Sequence, residues 1–165
     1  MIRALVLLPF LMPLPLAAQG IVYSDAQTQS CLEDLSGDAT MTDCAGLSSA
    51  ACIAANDAGY TTVGMGGCLD GELQFWDAFL NAQYQTVLKR AEDSDAEMKE
   101  LGATVPSTAD ALVAMQRAWI SFRDEACAYE RSLWGGGTGG GPATLQCLME
   151  LTADQTERLS RRLGE

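Results

Sequence analysis

Paired carboxylates are the residues in this sequence best spaced to do chemistry. Glu72 with Asp77, Asp124 with Glu125, and Asp154 with Glu157 stand close in the chain. Two carboxylates across a cleft are the machinery of glycoside hydrolysis. The chain has no histidine. Ser-His-Asp and Cys-His catalysis are therefore removed, and any general acid or base must be a carboxylate, Lys or Tyr. Acids at helical spacing usually form a solvated face, and a helical bundle rarely offers two of them a shared cleft. The expectation is a protein that is not an enzyme. The six cysteines (Cys31, Cys44, Cys52, Cys68, Cys127 and Cys147) contain no CxxC, and without histidine they make a poor metal set. No DxDxDG loop is present for calcium. The run Gly135–Gly141 matches GxGxxG in letters only. It follows a predicted helix, no βαβ unit surrounds it, and no Lys-Ser/Thr accompanies it. No metal and no cofactor is expected.

A second set is polar and aromatic: Asn81, Tyr84, Gln116, Trp119 and Arg123. Each falls on or beside an apolar helical face. Buried polar groups must be hydrogen-bonded. An internal network between the two long helices is expected ahead of direct ligand contact, with Arg123 paired to an acid such as Asp77.

The helices that must hold these residues are read from period and punctuation. The stretch Ser107–Trp134 is the one the others are organised around. Leu112, Met115, Trp119, Phe122, Ala126, Tyr129 and Leu133 step by three and four, the period of one buried face, with Gln116, Arg123 and Cys127 on its flank. Ser107 and Asp110 form a capping-box-like start, and the glycines after Trp134 end it. A second long helix starts near Cys68 on the set Leu69, Leu73, Trp76, Leu80, Tyr84, Val87 and Ala91, and resumes past Glu92–Asp95 through Met98 and Leu101. Residues 60–67 (YTTVGMGG) read as a loop and 102–106 as a linker. A last helix runs from Pro142 to about Leu163, with Arg158, Arg161 and Arg162 near its negative end. Ahead of these lie a short helix ending at Ser36-Gly37 and another from about Asp43 to Ala55. The fold class is all-α: a helical bundle with two or three long helices and short N-terminal helices, stapled by disulfides.

The staples follow from compartment. Residues 1–18 carry Arg3, an uncharged apolar run and then Ala17-Ala18, the pattern of a secretory signal peptide cleaved near Ala18. It is too short and too proline-broken for a membrane span. The mature domain is then residues 19–165, exported to the periplasm or beyond. Six cysteines in an oxidising compartment imply disulfides, with 15 connectivities open. Pairing in sequence order fits the helix layout, each bridge joining neighbouring elements. Cys44 and Cys52, placed on one helix and roughly 12 Å apart, are too distant to bridge each other. The net charge of −12 becomes −13 when Arg3 leaves with the signal. Such a surface repels nucleic acid and anionic lipid and speeds encounter with a cationic partner.

WDAFLNAQY (Trp76–Tyr84), QRAWISFRDEAC (Gln116–Cys127), the Gly-Gly-Gly-Thr loop and CLMELT (Cys147–Thr152) occur in that order. Together they resemble the lysozyme inhibitor LprI-type domain of exported bacterial proteins, over about Cys68 to Leu159. The resemblance marks Trp76, Asn81, Tyr84, Gln116, Trp119, Arg123 and Thr152 as motif residues, structural in character. The family typically has an arginine three residues after the threonine, where this chain has Gln155. The resemblance implies a protein partner, a basic lysozyme or related muramidase, and its inhibition. A non-inhibitory envelope adaptor is the alternative. On the inhibitor reading Glu92, Asp93, Asp95 and Glu97 are the candidate acids for partner contact, and Gly137 and Thr138 the candidate loop.

Overall fold

The computed structural model describes residues 20–163. The signal-peptide reading of residues 1–18 lies outside the described residues. Five α-helices follow in order: α1 (Ala26–Glu33), α2 (Leu47–Ala55), α3 (Thr62–Glu100), α4 (Thr108–Ser132) and α5 (Gly140–Arg161). A single 3-10 turn, Met41–Cys44, precedes α2, and no strand occurs among the described residues. The fold is the expected all-α bundle, with three long helices and short ones at the front. Three bridges staple it in sequence order: Cys31–Cys44, Cys52–Cys68 and Cys127–Cys147. Among the described residues no helix is long and apolar enough to cross a membrane.

The start of α3 corrects the loop expected over 60–67. Thr61 caps the helix, its side chain accepting from the Gly64 amide at 3.0 Å. Gly64, Gly67 and Gly71 fall at helical spacing. They make one bare face on which the Ala58 carbonyl, Ile21 and the Tyr23 ring lie. The helix gives up propensity to gain close approach. It runs 39 residues, about 58 Å, and ends in a Schellman motif. There Gly102 takes a positive φ, while Gly102 N–H donates to the Lys99 carbonyl and Ala103 N–H to that of Met98.

The expected helix over 43–55 is also corrected. Cys44 closes the 3-10 turn, and Gly46, at φ +92°, breaks the path before α2 begins. Cys44 and Cys52 therefore do not share a helix, although their pairing is as expected.

The helix at the centre is α5 rather than α4. It packs against α3 on one side and α4 on the other, with the 3-10 turn beside it. Met149, Thr152, Ala153, Gln155, Thr156, Glu157 and Leu159 are all buried. It begins two residues before Pro142. The missing proline amide falls among the first four, which have no intrahelical acceptor, and costs the helix nothing. The core joins Leu69 and Trp76 of α3 to Met149 and Ala153 of α5, with Cys44 between. Trp76 meets Phe75 edge-on at 5.5 Å and stacks on Phe79 at 6.1 Å.

The buried face of α4 is rotated from the one expected. Phe122, Tyr129 and Leu133 are exposed, and Cys127 is the fully buried residue of the helix. Leu112, Met115, Gln116, Trp119, Arg123 and Ala126 are half-buried on the inner side. A strict three-four repeat drifts about 20° per heptad on a straight helix. Over three heptads the apolar letters leave the contact face, and the supposed flank of Gln116, Arg123 and Cys127 takes their place.

Candidate functional site

Trp76, Gln116, Arg123 and Thr152 of the motif set meet at α5, while Asn81 and Tyr84 stand apart on α3. Trp76 is fully buried, and its Nε1 donates to Glu72 at 3.3 Å. Gln116 accepts from Gln155 Nε2 at 2.9 Å. Thr152, also fully buried, donates to the Leu148 carbonyl and faces Arg123 Nη1 at 3.5 Å. The Arg123 guanidinium lies 5.1 Å from the Trp119 ring centroid, a cation–π arrangement. A network is present, but it joins α4 to α5 rather than the two longest helices. Gln155, standing where the resemblance leads one to expect arginine, is its neutral link.

The acid partner of Arg123 is Asp124, bonded at 2.9 and 3.0 Å, and not Asp77. Asp77 instead accepts from exposed Asn81 at 3.1 Å. Arg123, Asp77 and Asn81 nonetheless line one open groove of ≈ 510 Å³ floored by Leu73 and Leu148. Tyr84 is half-buried on the same helix.

The three carboxylate pairs part company. Glu72 is fully buried while Asp77 is exposed, because five residues turn a helix by about 140°. Asp124 and Glu125 both face outward. Asp154 and Glu157 do share a cleft of ≈ 520 Å³ with Thr40, Thr42 and Arg158. Partial desolvation raises the Asp154 carboxyl, and Glu157 and Glu150 add to the shift while Arg158 opposes it. Glu157 is engaged in structure: it pairs with Arg161 and accepts the Thr42 amide at 3.3 Å. Among the described residues no cluster of His, Cys, Asp or Glu is arranged to hold a metal ion.

The expected partner-contact residues lie at opposite ends of the bundle. Glu92 and Glu97 are exposed near the end of α3, and Asp93 pairs with Lys89. Asp95 is taken up as a clamp on α4, accepting from Ser107 Oγ at 2.6 Å and from the Thr108 and Ala109 amides at 2.8 and 3.0 Å. These bonds hold its carboxyl below the usual aspartate range. Gly137 and Thr138 sit past the other end of α4. The loop there is folded on itself: Gly137 N–H donates to the Trp134 carbonyl at 2.8 Å, and the Trp134 ring covers Gly139, where any Cβ would collide with it. The 25 residues of α4 separate the two sets by about 37 Å.

Between them runs a surface that the sequence reading had turned inward. Phe122, Tyr129 and Leu133 are 61, 64 and 61% exposed. Seven and eleven residues apart, they lie within about 40° of one line along the helix. Glu125 and Glu130 are exposed on either side, and the stripe ends at half-exposed Trp134 and the glycine loop. Aromatic side chains standing in a row in water are the usual anchors of a protein contact.

Residues 52–159 match the family model described as "Lysozyme inhibitor LprI". An uncharacterized protein of Rhizobium meliloti (strain 1021) is 33% identical over 92 residues, 56% of this chain and 66% of that protein. An uncharacterized 17.7 kDa protein of Rhodobacter capsulatus is 28% identical over 150 residues, 90% of each chain. No solved structure matches.

Proposed function

The chain belongs to the lysozyme inhibitor LprI family, and from that premise we propose that it is an exported protein that binds and inhibits a basic lysozyme or related muramidase. The family is named for inhibition rather than catalysis. The observation that carries the reading is the exposed stripe Phe122–Tyr129–Leu133 with Glu125 and Glu130 beside it. Aromatic anchors framed by acids suit a cationic protein surface. The scaffold beneath is rigid: Cys127 is bridged to Cys147, and α4 is clamped by Asp95 at its other end. An interface of ordinary size covers about 800 Å² per partner. Centred on the stripe, it takes in the Gly137–Thr138 loop and leaves Glu92, Asp93 and Glu97 to long-range steering. The net charge of −12 favours that steering.

The test is lysis of a cell-wall suspension by lysozyme at physiological salt, with and without the mature protein. Dose-dependent inhibition that Phe122→Ala and Tyr129→Ala abolish supports the reading. No inhibition, with a single envelope protein retained on the immobilised wild type and lost on the two variants, would select the adaptor.

A further inference from the structure

The end of the bundle that carries the Asp95 clamp holds a groove away from the exposed Phe122–Leu133 stripe. Ala91 of α3, Leu112 and Met115 of α4 and Leu159 of α5 line a space of ≈ 590 Å³. That is the size of a small-molecule site. Its lining is mainly apolar, with Ser94 and Thr108 at one side, and it carries Arg90, Arg158 and Arg162. Guanidinium groups are scarce here: the chain has 10 Lys and Arg against 22 Asp and Glu. Arg90 Nη1 donates to the Leu163 carbonyl at 2.8 Å, which fixes its head against the end of α5. Complementing the negative end of α5 accounts for Arg158. The same end draws Arg90 over from α3, but it does not account for the apolar surface beneath them.

We propose that this groove binds a fatty-acid carboxylate, the acyl chain lying on the floor between the three helices and the head held by Arg90 and Arg158. An apolar floor alone would accept any oily group. Three arginines around it, on a protein that otherwise repels anions, select a molecule with one negative end.

Calorimetric titration of the mature protein with octanoate, decanoate, dodecanoate and neutral decanol, below their aggregation concentrations, tests this. Binding is expected at one to one. Each added pair of methylenes should tighten it about fifteenfold until the floor is filled. Decanol should bind at least about tenfold more weakly than decanoate. Arg158→Gln should weaken dodecanoate about tenfold. Ala111→Phe, at an exposed position on the groove wall, should abolish binding while the melting temperature holds. Affinity independent of chain length, decanol equal to decanoate, or unaltered binding by both folded variants overturns the assignment. So does binding of dodecyl phosphate where dodecanoate fails.

Discussion

The carboxylate of Glu72 lies 2.6 Å from the Ser49 amide and, through its other oxygen, 2.8 Å from the amide of Gly46. A single buried acid of α3 thereby fixes the turn into α2. Thr28 Oγ1 of α1 donates to it at 2.7 Å, so the front helices converge on one side chain. Its partners are donors rather than a cation. Glu72→Gln keeps the shape but turns an NH2 toward a backbone amide, which can only donate. We expect a loss of about 3 kcal/mol in urea unfolding, with hydrogen exchange rising first in α1 and α2. A variant as stable as the wild type would show that the amides find other acceptors.

The Cys127–Cys147 bridge spans 20 residues and ties α4 to α5 beside the glycine turn. Closing a loop of that size stabilises by about 3 kcal/mol, chiefly through the unfolded chain. The double serine variant should therefore melt well below the wild type and still fold to the same helix content. Equal melting points would mean that α4 is held by packing alone.

Asp95 predicts an acid-side effect. Its carboxyl is held below its ordinary value of 3.8 by Ser107 and the Ala109 and Thr108 amides. A depressed folded value contributes stability above the ordinary range, and the contribution is lost as pH falls through the folded value. Asp95→Ala should melt lower than wild type at neutral pH, and the gap should close in strong acid. A gap that stays constant with pH would assign the loss to packing.

Tyr23 predicts the opposite flank. Burial, with Glu72 nearby, pushes its phenol up to about 12. A raised folded value means the neutral form is favoured. Its stabilisation is intact below the ordinary value of 10.0 and is lost as pH climbs toward the folded one. Tyr23→Phe should remove that alkaline loss, seen as a flatter decline of melting temperature between these values. Identical declines would place the loss elsewhere.

The α3 acids and the α4 stripe should separate kinetically. Neutralising Glu92, Asp93 and Glu97 should slow lysozyme association and flatten its salt dependence, with little change in dissociation. Phe122→Ala should act on dissociation. Acid variants that change neither rate at low salt would remove the steering role.

Much of this architecture was legible in the chain. The α3 set from Leu69 to Ala91 kept its phase because half of it is buried in one core. Ser107 announced the start of α4, accepting from the Asp110 amide at 3.0 Å. What stayed hidden had physical reasons. Gly64 and Gly67 signal a loop until the Ala58 carbonyl and Ile21 are known to lie against them. Phe122, Tyr129 and Leu133 of α4 lie outside the contact face because a three-four repeat drifts along a straight helix. Gln155, Thr156 and Glu157 carry polar letters, yet α5 buries them between its neighbours. Little local marks Glu72 for the interior, since only Trp76 donates to it from its own helix and the other donors arrive from residues 28, 46 and 49.

The bridges join each cysteine to the next one along, at separations of 13, 16 and 20 residues. Three covalent rings thus lie end to end, none nested in or threaded through another. A chain delivered amino end first can shut each ring when its second cysteine arrives, and no bond once made has to be undone. Shuffling, which takes seconds to hours and holds back many oxidative foldings, is not a step this topology requires. Oxidation can keep pace with delivery, leaving only the docking of finished rings onto α5.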